Sequence, residues 1–274
     1  MNDVDVFVIG KRYSNCNSFM KFTLLSRLLF VLFLLLSSGT SFSQASSKIH
    51  VLFVGNSLTS MNDLPKLVAD LAHFRHWDMD YDSYLPGGSR FSQHASDQQL
   101  IRKINEGKWD WVILQEQSQL LEFEPEQIQH DVYPYASSLC QLIRRANPQA
   151  NIAFYETMAA QDGDQMNVNS FPELGTYEGT QDRINANYTI MTQDNQAVLV
   201  PVGAVWKSVR SDNPSIGLYA DEKHPNLTGS YLAACVFYAV IFKDRAVGLS
   251  HPGSMDEDTA NYLQKMTDKI LYSF

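Results

Sequence analysis

Three cysteines in 274 residues are too few to build a fold on disulfides. Cys16 lies in an N-terminal stretch expected to be removed. Cys140 and Cys235 sit in helical, mostly apolar patterns and read as buried thiols, although export would permit them to pair. Long apolar runs are equally scarce: Leu28–Leu36 is too short to span a bilayer and no other run is long enough. Basic charge is in deficit, with 21 Lys and Arg against 30 Asp and Glu and a net charge of −9, which argues against nucleic acid or an anionic membrane surface as partner. There is no internal repeat, no low-complexity linker and no closed set of metal ligands. The one suggestive group, His73 and His76 with Asp78 and Asp80, is interrupted by Arg75 and reads as a solvated helix end. What remains is an ordinary globular composition, 45% hydrophobic and 19% charged, at a length suited to one α/β domain.

The first 45 residues stand apart. Lys21 and Arg27 form a basic start, Leu28–Leu36 an apolar centre, and Ser43-Gln44-Ala45 a small-x-small site, the pattern of a secretory signal peptide cleaved after Ala45. Met1–Phe19 reads as an extension upstream of a start at Met20. The expected division is 1–45 as extension and signal, and 46–274 as a single domain that is secreted or periplasmic and not membrane-inserted after cleavage. The leader holds four basic residues (Lys11, Arg12, Lys21, Arg27) and two acidic ones (Asp3, Asp5), so the remainder carries 17 against 28, a net −11.

Along that domain apolar runs alternate with amphipathic segments, the pattern of a parallel sheet covered on both faces. The expected strands are Ile49–Val54, Met79–Leu85, Trp111–Leu114, Asn151–Tyr155 and Ala197–Val202. The expected helices are Asp63–Phe74, Asp97–Glu106, Pro125–Ala146, Tyr177–Asp194, Leu227–Phe242 and Asp256–Leu271. They predict a three-layer α/β/α fold on a five-stranded parallel sheet in flavodoxin-like order, with the first strand central. The polar stretch Thr157–Thr176 is long for a loop in such a domain, and reads either as the rim of a substrate groove or as a mobile excursion.

Four short stretches follow, or sit beside, the ends of these strands. Gly55-Asn56-Ser57-Leu58-Thr59 puts a hydroxyl at a strand-to-helix turn, where open α/β sheets bind ligands and where a serine can act as nucleophile. Leu85-Pro86-Gly87-Gly88-Ser89 follows the second strand, and its glycines allow a backbone N–H to approach a ligand closely. Gln115-Glu116-Gln117-Ser118 follows the third strand and offers amide donors. Residues 115 and 117 would share a face of an extended segment, so the residues alone do not separate them. In Asp221-Glu222-Lys223-His224-Pro225-Asn226 the aspartate can reach the imidazole Nδ1–H and leave Nε2 free as a general base. Each stretch alone is compatible with a plain turn.

As an ordered set, serine, glycine, amide and Asp-x-x-His resemble the four blocks of the SGNH (GDSL-type) hydrolases, over about Lys48–Phe242. The resemblance implies a Ser57–His224–Asp221 triad and an oxyanion hole of the Ser57 and Gly88 N–H groups, with Gly87 as the alternative glycine. No metal and no cofactor is called for. Asn56 stands where the family usually has aspartate. The third block departs most, and looks like the Gln-Gly-Glu-Ser stretch of branches that act on acetylated sugars; on that likeness Gln115 is the first choice as amide donor and Gln117 the second. His94, six residues after Gly88, is either a substrate contact or a surface residue at a helix start.

The implied activity is a secreted serine esterase that deacetylates a carbohydrate or related small ester; the acidic surface is compatible with such a neutral substrate without pointing to it. A short-chain lipase or thioesterase is the alternative within the class, and a non-catalytic glycan-binding envelope protein of the same fold the alternative outside it. The lack of a long apolar lid-like segment weighs against a lipase. The presence of Ser57, Asp221 and His224 together weighs against the binding protein.

Overall fold

The computed structural model describes residues 48–272; the expected signal peptide and Cys16 lie outside them. Five strands pair in parallel: β1 (Ile49–Val54), β2 (Met79–Tyr84), β3 (Trp111–Leu114), β4 (Asn151–Tyr155) and β5 (Val198–Val200), in the order β2-β1-β3-β4-β5. The flavodoxin-like order is as expected, but β3 takes the middle place and β1 lies beside it, its Val54 opposite Tyr84 on one side and Leu114 on the other. The inner strands β1, β3 and β4 read as near-continuous apolar runs because both faces are covered, whereas β2 at the edge alternates with Asp80, Asp82 and Ser83.

The helices are α1 (Ser57–Ser60), α2 (Leu64–Phe74), α3 (Phe91–His94), α4 (Gln98–Ile104), α5 (Pro125–Asp131), α6 (Tyr133–Ala146), α7 (Tyr177–Asp194), α8 (Val202–Asp212), α9 (Leu227–Phe242) and α10 (Glu257–Tyr272). Alternation along the strands sets the layers. Phe53 and Tyr155 turn one way, onto Phe237 of α9, while Phe154 turns the other way, onto Phe91 of α3. Helix α9 is apolar all round and buried along nearly its whole length, because α2, α8 and α10 pack against it as well as the sheet.

Two helical expectations change. The single helix Pro125–Ala146 is two, broken at Val132 (φ −126°), because the ring of Pro134 cannot continue the preceding turn. The expected strand Ala197–Val202 is short, and its last residue opens the unforeseen α8. There Val202, Val205, Trp206 and Val209 recur at helical spacing and are all buried. Cys140 and Cys235 are buried free thiols. The stretch 157–176 makes turns and one short 3-10 helix, Pro172–Gly175, and the Gln161 N–H donates to Glu222 O at 2.7 Å.

Candidate active site

The Ser57 turn is assembled from below. Asn56 caps α1 by accepting the Leu58 N–H at 3.1 Å, which sets Ser57 as the first helical residue. The other end of the same amide donates to Ser89 O at 3.0 Å, tying this turn to the glycine loop. An aspartate could not make that second bond. Gln115 Oε1 accepts the Asn56 N–H at 2.9 Å and the Thr59 hydroxyl at 2.8 Å. Gly55 makes room for this: a Cβ there would stand 2.5 Å from Gln115 Oε1.

The second turn supplies the acid–base pair. Asp221 Oδ1 accepts the backbone N–H groups of Lys223 and His224, each at 2.8 Å, and Oδ2 accepts from His224 Nδ1 at 2.8 Å. These backbone bonds, and then the imidazole, hold the Asp221 carboxyl down to about 2, so it is an anion at any working pH. An anion facing Nδ1 requires the proton there, which leaves Nε2 as acceptor for the Ser57 hydroxyl at 3.0 Å. Tyr219 bridges to Pro225 and closes the turn into a small hairpin, and Asn226 then caps α9 at the Gly229 N–H. Asn62, in the left-handed region (φ 54°), donates to Pro225 O at 3.1 Å and Ser230 Oγ at 2.9 Å, so it pins the hairpin to the Ser57 side.

Among the described residues, no acceptor meets the N–H of Ser57 or of Gly88. Gly88 has φ +68° and open space where a Cβ would stand. Both N–H groups are therefore free to donate to a ligand.

Gln115 is not free in this way. It is 0% exposed, its oxygen is taken by the Ser57 turn, and its amide nitrogen donates to Glu116 O. The expectation that Gln115 serves an oxyanion is corrected: it lies under the turn and holds it. The two glutamines part company because the chain does not stay extended; at Gln117 it turns into a 3-10 helix over Ser118–Glu122. Gln117 is only half-buried, with its Oε1 accepting from Arg90 Nε at 2.8 Å and its NH2 donating to Gln119 at 3.2 Å.

His94 also departs from expectation. It is 1% exposed, with Nε2 at 3.1 Å from both Gly55 O and Ser89 Oγ and its ring edge-on to Tyr84. Burial lowers its affinity for a proton. It is neither a surface residue nor a substrate contact but a pin between the first two motifs. Its position six residues after Gly88 puts it on α3, which folds back over the end of β1.

Glu116, between the two glutamines, holds the glycine loop and Gln117 together. Its carboxylate accepts the N–H of Gln117 at 2.7 Å and of Phe91 at 3.0 Å, and burial pushes its carboxyl up to about 7. Among the described residues no group of three or more His, Cys, Asp or Glu could hold a metal ion. A cavity of about 220 Å³ lies beside the His224 hairpin, lined by Gln161, Glu178, Arg210 and Tyr219 among others. The Arg210 guanidinium is stacked 3.9 Å from the centre of the Tyr177 ring. The cavity walls are tied to the hairpin through Tyr219 and Gln161, but Ser57 and His224 are not among them.

No protein-family model and no curated protein matches the chain. Solved structures do share its fold. A DUF4886 family protein from Bacteroides uniformis is 16% identical, with a TM-score of 0.68 over 82% of this chain and 95% of that one. A protein assigned as an SGNH hydrolase from Slackia heliotrinireducens is 24% identical, at 0.57 over 71% and 99%. The acetyl xylan esterase AlAXEase is 14% identical, at 0.53 over 70% and 100%. The fold is that of the SGNH hydrolases, three layers around a five-stranded parallel sheet.

Proposed function

We propose that the chain is a serine ester hydrolase that removes acetyl groups from a carbohydrate. The observation that carries this reading is the relay from Ser57 Oγ to His224 Nε2 (3.0 Å) and from His224 Nδ1 to Asp221 (2.8 Å). His224 takes the Ser57 proton as Oγ attacks the ester carbonyl carbon, and Asp221 stabilises the imidazolium. The oxyanion is received by the free N–H groups of Ser57 and Gly88, with the Gln117 amide as third donor. As the tetrahedral adduct collapses, His224 returns the proton to the departing alcohol oxygen. Water then repeats the sequence against the acyl-serine, releases acetate and regenerates Ser57.

The cavity beside the hairpin mixes the polar side chains of Gln161, Glu178 and Arg210 with Pro214, Ile216, Leu218 and the Tyr219 ring, a lining a sugar could meet on both its hydroxyls and its faces, and one protein of the same fold is an acetyl xylan esterase. We also place the working chain, residues 46–274, outside the cytoplasm; sequencing the N-terminus of the exported protein tests cleavage after Ala45.

The deciding experiment is hydrolysis of aryl esters of rising acyl length beside acetylated oligosaccharides, with Ser57→Ala as control. Acetyl esters should be the best substrates and the variant inert. Rates that climb with acyl length would replace the deacetylase with a lipase, and no Ser57-dependent hydrolysis of any ester would end the enzyme reading.

A further inference from the structure

Two loops that the proposed mechanism needs in fixed register approach each other at Glu116. One carries Gly88 and runs into α3 at Phe91; the other leaves β3 and carries Gln117. Glu116 is 0% exposed, yet its carboxylate lies between two backbone N–H groups and bonds both. Oε1 accepts from Gln117 at 2.7 Å and from Phe91 at 3.1 Å, and Oε2 accepts from Phe91 at 3.0 Å. On its other side the Glu116 N–H donates to Tyr188 Oη at 3.2 Å, anchoring the residue to α7. Arg90 crosses the same gap with Nε on Gln117 Oε1. A guanidinium only donates, so it selects the amide oxygen and leaves the NH2 end, the one that can meet an anion, turned away from it.

We propose that Glu116 is a positioning residue for the oxyanion site. Its carboxylate fixes the glycine loop and Gln117 relative to each other, and Arg90 sets which way the Gln117 amide faces. The proposal rests on the serine-esterase reading above. Glu116 touches no substrate in it; the effect passes through Phe91 and Gln117. Oxyanion donors work because they are held in place before charge develops, and a misplacement of about 1 Å is enough to cost on the order of a hundredfold in rate. A hydrophobic residue at 116 would fill the volume but leave two buried N–H groups without an acceptor.

The experiment measures kcat and KM on an aryl acetate for wild type, Glu116→Ala, Glu116→Gln and Arg90→Met, with the thermal midpoint of each. Glu116→Ala should lower kcat by roughly a hundredfold, the low end of the range for one lost donor, and leave KM within about twofold. Glu116→Gln should recover part of that loss, since its single oxygen can take the place of Oε1, which both N–H groups approach. Arg90→Met should lower kcat by about tenfold, because the amide is then free to flip. A folded Glu116→Ala with wild-type kcat, or one whose defect lies in KM alone, overturns the proposal. Should Glu116→Ala not fold, the other two variants decide, and wild-type kcat in both overturns it equally. A wild type with no Ser57-dependent hydrolysis brings down the esterase reading and this proposal together, whereas an active wild type beside undiminished variants brings down this proposal alone.

Discussion

The turn that carries Ser57 is tied down from beneath by buried side chains, whereas the turn that carries His224 stands at the surface and is tied largely to itself. Under Ser57 lie Asn56, Ser89, His94 and Gln115, all buried and linked to one another or to the backbone between them. Around His224 the main support is Asp221, whose side chain is 56% exposed and which bonds only residues two and three places on. Asn62 and Gln161 add single bonds from outside the hairpin, and the Tyr219 hydroxyl donates out of it to Ala159 O at 2.7 Å. Their carboxyl groups differ in the same sense: backbone N–H groups hold that of the exposed Asp221 down, while burial pushes that of Glu116, beside the Ser57 turn, up. Damage beneath Ser57 should therefore show first as lost stability, and damage around His224 as lost rate.

The largest effect should come from removing the two groups that meet. Ser57→Ala and His224→Ala are each expected to lower kcat/KM by about 10⁴-fold or more, with no unaffected base or nucleophile to take over. Neither side chain holds the hairpin or the helix cap, so the thermal midpoint should move little. A fluorophosphonate should label wild type at Ser57 and leave the alanine variant unlabelled. Labelling at another residue breaks the comparison at its root.

Asp221→Asn sharpens the comparison, because it separates the two jobs of one carboxyl. An asparagine can still accept the Lys223 and His224 N–H groups through its oxygen and so keep the hairpin. Its NH2 end then faces Nδ1, favours the wrong tautomer and turns the proton toward Ser57. The expected loss in kcat is roughly a hundredfold to ten-thousandfold, smaller than at His224, with circular dichroism unchanged. A variant that loses structure as well as rate would show that the hairpin leans on the charge and not only on the acceptor. The Asp221 carboxyl, held down to about 2, stays charged from mildly acid to neutral pH, so any acid limb of the rate in that range belongs to another group.

On the other side of the comparison, Gln115→Ala should be a stability variant. It leaves the Asn56 N–H and the Thr59 hydroxyl without their acceptor in a dry site, at a cost of about 1–3 kcal/mol. The kcat of the folded fraction should stay closer to wild type than that of Asp221→Asn. Gly55→Ala should behave alike, since its new methyl group would press on Gln115 Oε1. If Gln115→Ala instead kept its midpoint and lost most of its kcat, the glutamine would be an oxyanion donor after all.

Much of this was legible in the residues. Strands β1, β3 and β4 are largely apolar runs of the right length, β2 alternates polar and apolar residues, and the parallel order follows from the helices between them. Asp221 and His224 are close in sequence, so their pairing needs only a local turn. What the sequence could not separate depends on the backbone's path. Gln115 and Gln117 share a face only if the chain runs straight, and it turns at Gln117 instead. His94 has the same neighbours in sequence whether α3 points outward or folds back over Gly55. Glu116 and Asn62 act between segments distant in sequence, and no local pattern marks such a bond. Helix α8 was the reverse case: its spacing was there, but the strand before it is equally apolar and hid where one period gives way to the other.

The smallest effect tests the buried carboxyls as a group. Glu122 and Glu156 are each 2% exposed, and burial pushes both carboxyls up to about 8, with the neighbouring Asp164 adding to the effect at Glu122. In the unfolded chain a glutamic acid titrates near about 4.3. Between that value and about 8 the native state holds protons that the unfolded state has released, so stability falls as pH rises through the interval and levels off above it. His94 acts in the opposite sense. Its buried ring stays neutral where the unfolded one is charged, so its contribution is lost as pH falls below the ordinary histidine value of about 6.5 and is complete above it. Above about pH 6.5 the carboxyls therefore act without that opposition. The thermal midpoint should fall between about pH 6.5 and 8.5. Glu156→Gln keeps the shape of the protonated acid and removes one of the titrations, so it should flatten that slope, with a midpoint already above wild type at about pH 6 and further above it at about pH 8.5. A midpoint that is flat or rises over the same interval would mean that these carboxyls are ionised and paired in the folded chain, and the contrast between buried acids and the exposed Asp221 would then fail.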